Sequence, residues 1–130
     1  MAFAAKQGDA VTGTDVHVVL VPSPGGPVPT PVPLPFSGTI TGGCSPDVLV
    51  EGRPAAVLGS TATCSPPHVP VGGSFAVPPT NSGTVAAGSA TVLVNGRPAA
   101  RVGDPVLTCN DPVPAATSSI SGAGTVSVGA

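Results

Sequence analysis

Histidine and cysteine, the side chains best suited to hold a borderline-soft metal ion, number two and three in this 130-residue chain. Four of the five follow one kind of local sequence. His17 comes after Gly8-Asp9, Cys64 and His68 come after Gly59-Ser60 in Cys-x-x-x-His spacing, and Cys109 comes after Gly103-Asp104. If these three segments converge at one end of the molecule, His17, Cys64, His68 and Cys109 supply two imidazoles and two thiolates. That is the donor set of a closed tetrahedral site for one structural zinc ion. Two other readings stay open on spacing alone: a Cys64–Cys109 disulfide, or histidines that simply lie on the surface. An odd number of cysteines fits metal ligation or free thiols better than a complete disulfide framework. Cys44 lies outside the three windows and reads as a small buried thiol left free. Asp9 and Asp104 read as turn caps that bond to nearby backbone, and Asp15 as a carboxylate supporting a metal ligand from behind.

Other chemistry finds little to work with. The six carboxylates are scattered, with no plausible acid–base pair. No Gly-x-Ser-x-Gly elbow appears, and no glycine-rich stretch ends in Gly-Lys-Ser/Thr. A zinc ion with four protein ligands has no open position for substrate or activated water. The reading is therefore not an enzyme, with no catalytic residue. Four Lys+Arg, three Phe and no Trp or Tyr leave neither a basic groove nor a stacking platform for nucleic acid. The same scarcity of cations makes a poor match to an anionic membrane.

The elements that must position these residues are legible in an internal repeat. Val48-Leu49-Val50-Glu51-Gly52-Arg53-Pro54-Ala55-Ala56 recurs 44 residues later as Val92-Leu93-Val94-Asn95-Gly96-Arg97-Pro98-Ala99-Ala100. The match extends to sixteen positions, 44–59 and 88–103. Each unit reads strand, turn, strand, because Glu51-Gly52 and Asn95-Gly96 suit a tight hairpin turn. A third copy is split between the chain ends: residues 122–130 match the first nine positions, and residues 2–8 match the other seven. A divided unit makes sense if the two ends pair and close a three-sided body, which also removes exposed sheet edges.

The fold expectation is all-β. It is a single domain over 1–130, a small three-sided, pseudo-three-fold β-prism or cone built from three strand-turn-strand units. Long Pro/Gly-rich loop excursions are expected at 18–42 and 69–87. Gly and Pro contribute 18 residues each, and charged residues only 8%, against about 25% in ordinary domains. Disorder normally couples low hydropathy to high net charge. Here the mean hydropathy is +0.42 and the formal charge −2, so short strands and tight turns fit better. The stretch from Val21 to Pro35 favours polyproline geometry and reads as a surface excursion or a recognition segment for a partner. No run reaches the roughly 20 apolar residues of a membrane helix. The N-terminus lacks the charged and apolar regions of a signal peptide, which points to synthesis in the cytoplasm.

Pro98-Ala99-Ala100-Arg101 spells the signature of the PAAR-repeat proteins, and Gly88 to Arg97 with Val102-Gly103-Asp104 resemble that family too. The resemblance covers the three units, with departures at Val57 for the signature Arg and at Ser60 for Asp. It implies a small cone whose β base caps the trimeric spike (VgrG-like) of a contractile injection system, a type VI secretion apparatus or phage-tail-like particle. Such a tip sits as a monomer on a trimer, helps to pierce the target envelope without residing in a membrane, and binds zinc. On the family pattern the matching loop residues are His17, Cys64 or His68, and Cys109. The family site is rich in His, so with two histidines here cysteine makes up the set. The implied life history is assembly on the particle and expulsion with it. An adaptor attaching effector cargo to the spike is one alternative. A free-standing Gly/Pro-rich secreted binding module is another, though it predicts a signal peptide and no split repeat. Completion of the third unit at Ala130 is expected to leave no room for an appended effector domain.

Overall fold

The computed structural model describes residues 2–70, 72–111, 113–122, 124 and 126–128. Ala123, Thr125, Gly129 and Ala130, members of the split third unit, lie outside the described residues. Among the described residues there is no helix, so none is long and apolar enough to cross a membrane. The chain forms β1 (Ala2–Phe3), β2 (Ala10–Val21), β3 (Val28–Gly42), β4 (Leu49–Val50), β5 (Arg53–Pro54), β6 (Thr61–Cys64), β7 (Ser74–Phe75), β8 (Ser82–Val85), β9 (Leu93–Val94), β10 (Arg97–Pro98), β11 (Pro105–Thr108), β12 (Ala115–Ser121) and β13 (Ser127–Val128).

The base consists of three short antiparallel ribbons, β4–β5, β9–β10 and β1–β13, the last joining the two chain ends through Ala2↔Val128 and Phe3↔Ser127. Glu51 and Gly52 have φ of 51° and 81°, and Asn95 and Gly96 have 53° and 81°. Two successive positive φ values mark the turn whose twist matches a hairpin, which only Gly and a few tolerant residues adopt cheaply. The ribbons are tied around the axis by a closed cycle of backbone bonds. Ala5 N donates to Ala100 O (2.9 Å), Ala100 N to Ala56 O (2.9 Å) and Ala56 N to Ala5 O (3.0 Å). Three backbones meeting at an axis leave space for a methyl group and little more, and all three alanines are buried.

Each corner of the base then turns upward in the same way. The Lys6 amide donates to Asp9 Oδ2 (3.0 Å), the Arg101 amide to Asp104 Oδ2 (2.7 Å), and the Val57 amide to Ser60 Oγ (2.9 Å). The two departures at the first unit are thus one exchange. Where a carboxylate caps the turn it also pairs with the cation three residues earlier, Lys6 Nζ or Arg101 Nη2, each at 2.9 Å. Where Ser60 replaces the carboxylate, Val57 replaces the cation, and the freed hydroxyl donates to Gly43 O (3.1 Å). No buried charge is left without a partner at that corner.

Above the base, β2, β3, β6, β8, β11 and β12 form a closed antiparallel ring, sealed by pairing of β12 with β2 from Ser118↔Gly13 to Ser121↔Ala10. Val11, Phe36, Ile40, Ala62, Val85, Val106 and Ile120 fill it. The segments expected as loop excursions belong to this wall. Residues 18–42 contain β3 and the end of β2, and residues 69–87 contain β7 and β8. The polyproline expectation is likewise replaced by a strand. Pro31 and Pro33 lie opposite Val18 and Val16. The backbone groups of those two valines turn away from β3: Val16 N donates to Asn110 Oδ1 (2.6 Å) and Val18 N to Asp111 Oδ2 (2.8 Å). A proline at such a pair has no ladder bond to lose, so alternate prolines fit the free edge of a strand.

Candidate metal centre

The unit-to-strand turns send β2, β6 and β11 away from the base, and their continuations meet at the far end of the ring. There Asp15, His17, His68 and Cys109 each present a donor atom within 4.8 Å of the other three, all buried. Asp15 and His17 are two residues apart on β2, so the pleat turns both inward. Cys109 directly follows β11. His68 lies in the loop after β6, its amide held by Asn81 Oδ1 at 2.8 Å.

Asp15 is completely buried. Its Oδ1 accepts from the Thr108 hydroxyl, from Thr117 Oγ1 (3.2 Å) and from Asn110 Nδ2 (3.4 Å). Its Oδ2 faces His68 Nε2 at 2.8 Å and accepts from Cys109 Sγ at 3.5 Å. The His17 ring stands 5.0 Å from that of His68 and edge-on to Phe75 at 5.7 Å, with Phe36 beneath His68. Burial pushes the Cys109 thiol above its ordinary range; backbone contact with Asn81 opposes this and the Asp15 carboxylate reinforces it. A bound cation reverses that balance, because it stabilises the thiolate directly.

The structure brings together His17, His68 and Cys109, three of the four residues expected from spacing. Cys64 is replaced in the cluster by Asp15. Cys64 closes β6 facing the ring interior, packs in the hydrophobic core, and directs its thiol to Pro66 O at 3.4 Å. All three cysteines are free, so no Cys64–Cys109 disulfide forms. Cys44 is half-buried, packs against the core and donates to Gly42 O at 3.7 Å. Asp15, expected to support a ligand from behind, stands among the ligand atoms themselves. Its signal was the i, i+2 spacing to His17, which puts both on one face of any strand.

The residues fit a metal ion on one observation above all. Both ring nitrogens of His17 are buried without a hydrogen-bond partner. An unmet buried polar group costs about 1–3 kcal/mol, and a cation within the donor cluster relieves it. Two imidazoles, a thiolate and a carboxylate are all donors that zinc accepts.

A closed all-β ring on a base of three ribbons, with segments converging on a buried donor cluster that could hold a metal ion, is the class this architecture defines. The family model described as PAAR motif matches residues 75–130. The match covers a little under half of the chain and supports a PAAR-repeat protein. Of the cluster, Cys109 lies inside the matched region, whereas Asp15, His17 and His68 precede it. No curated protein matches the chain.

Proposed function

We propose that this protein is a non-enzymatic, zinc-stabilised tip that caps the trimeric spike of a contractile injection system and helps to pierce the target envelope. The observation that carries this reading is the base. Val48, Val92 and Val126 occupy equivalent positions in the three units and are exposed to 39%, 37% and 42%. With Leu49, exposed to 60%, they border a cavity of about 220 Å³ otherwise lined mainly by alanine and valine, and Leu93, the equivalent of Leu49, is exposed to 62%. A monomer that presents three equivalent apolar positions around one axis is matched to a partner with three-fold symmetry, each unit meeting one spike chain. Exposed apolar residues grouped in this way mark an interaction site.

The other end meets the mechanical demand. A tip driven into an envelope must resist unfolding, and a ring closed by the pairing of β12 with β2 has few places to peel. One zinc held by His17, His68 and Cys109, with Asp15 as the fourth ligand, would tie together three segments distant in sequence. Metal binding to the folded state adds to folding free energy. Synthesis in the cytoplasm, assembly on the particle and expulsion with it complete the proposal. Its test is elemental analysis of protein purified without chelator, followed by mixing with a candidate spike trimer at micromolar concentration. One zinc per chain and a complex of one chain per trimer are expected. Absence of zinc would overturn the metal centre, and absence of any complex with every candidate trimer would overturn the docking role.

A further inference from the structure

Resting on the reading of the cluster as a metal centre, we propose that Asp111 is its positioning residue. It holds His17 in the tautomer protonated at Nδ1, so that Nε2 carries the lone pair offered to the metal. Asp111 does not belong to the four-residue cluster. Its Oδ2 lies 3.5 Å from His17 Nδ1, and its side chain is 12% exposed. A neutral imidazole has one N–H and one lone pair, and a carboxylate only accepts. The carboxylate faces Nδ1 as a charge at ion-pair distance rather than through a formed hydrogen bond, and its charge favours Nδ1–H there and leaves the lone pair on Nε2; neither ring nitrogen has a hydrogen-bond partner.

Backbone bonding keeps that carboxylate in place. Asp111 N donates to Val16 O (2.8 Å), and Val18 N donates to Asp111 Oδ2 (2.8 Å). Val16 and Val18 flank His17 on β2, so the residue that faces the ring is clamped to the strand that carries it. Asn110 Oδ1 accepts from Val16 N at 2.6 Å, which extends the clamp to the residue beside Cys109. One short segment, Cys109-Asn110-Asp111, thus supplies a ligand and orients another. A cavity of about 130 Å³ is bordered by His17, Cys109 and Asp111, so the carboxylate shares one opening with two members of the cluster. Carboxylates that hold the distal nitrogen of a ligating histidine commonly govern metal affinity.

The test is Asp111→Asn in the full chain, because the amide oxygen can still accept from Val18 N–H while the charge is lost. Zinc and cobalt(II) affinities are measured by chelator competition, melting is followed with and without metal, and histidine ring nitrogens are assigned by ¹⁵N NMR. Metal affinity is expected to fall about 10–100-fold, while the metal-free variant melts with metal-free wild type. Wild-type His17 is expected to show Nδ1–H in the metal-free protein and metal-bound Nε2 in the loaded one. Unchanged affinity, metal on Nδ1, or a loss matched by equal destabilisation of the metal-free variant would overturn the proposal. If wild type binds neither ion, the metal reading fails. The His17 tautomer in the metal-free protein still decides the role of Asp111, with Nε2–H overturning it.

Discussion

The three cysteines differ in environment more than in chemistry, which makes them a controlled comparison. Cys109 offers its sulfur to the donor cluster, Cys64 points to a backbone carbonyl within the core, and Cys44 sits half-buried beside Gly42. Cys109→Ser is expected to release the metal and lower the melting temperature of the loaded protein to that of the metal-free form. A ligand at a thousand times its dissociation constant stabilises by about 4 kcal/mol, so the loss should be plain in a thermal scan. Cys44→Ser should retain one metal per chain, and so should Cys64→Ser, at the cost of some core stability. Retention of metal by Cys109→Ser with loss in Cys64→Ser would exchange the two assignments. Spacing alone could not separate Cys64 from Asp15. The inward face of β2 carries Asp15 and His17 where a core strand would carry valines, so the donors themselves obscured the alternation that marks a strand.

At the level of the element, strand packing depends on glycines that admit a neighbouring backbone. Gly38 on β3 lies opposite Cys64 on β6, and a Cβ at Gly38 would fall inside contact distance of the Thr63 carbonyl. Gly38→Ala must therefore push β3 and β6 apart, and a destabilisation on the order of 1–3 kcal/mol is expected. Gly25 lies in the turn between β2 and β3, where an added Cβ meets nothing within 4 Å. Gly25→Ala should be close to neutral, and chemical denaturation of the two variants side by side makes the check. Equal stability of both would contradict the close approach of β3 and β6. The hairpins of the base were readable from Glu51-Gly52 and Asn95-Gly96 because their turns have local backbone requirements. The wall strands were not readable: Pro29 to Pro35 argue against a strand wherever the register is unknown, and only the pairing with Val16 and Val18 shows that no ladder bond is missing.

For the whole molecule, positive charge is confined to one end. Lys6, Arg53, Arg97 and Arg101 are all the cations of the chain, and all belong to the three base units. Within that charged base the exposed Val48, Leu49, Val92, Leu93 and Val126 form the apolar centre. Val48→Asp combined with Val92→Asp is expected to abolish capture by a trimeric spike while leaving metal content at one ion per chain, since both positions are exposed and lie at the end opposite the cluster. Co-purification with the spike and elemental analysis of the same preparation test both halves. Capture that persists at wild-type level would exclude this face as the docking surface.

What the sequence determined by itself were the features with local causes. The repeat with its Gly turns, the polar caps at Asp9 and Asp104 and the all-β class each depend on residues a few positions apart. The tertiary structure alone decided that the segments between the units form the closed ring, because strand register is set by partners more than a hundred residues away. It also decided the fourth member of the donor cluster. Ligand choice depends on donor atoms lying within a few ångströms of one another, a distance that closure of the ring sets and spacing along the chain does not.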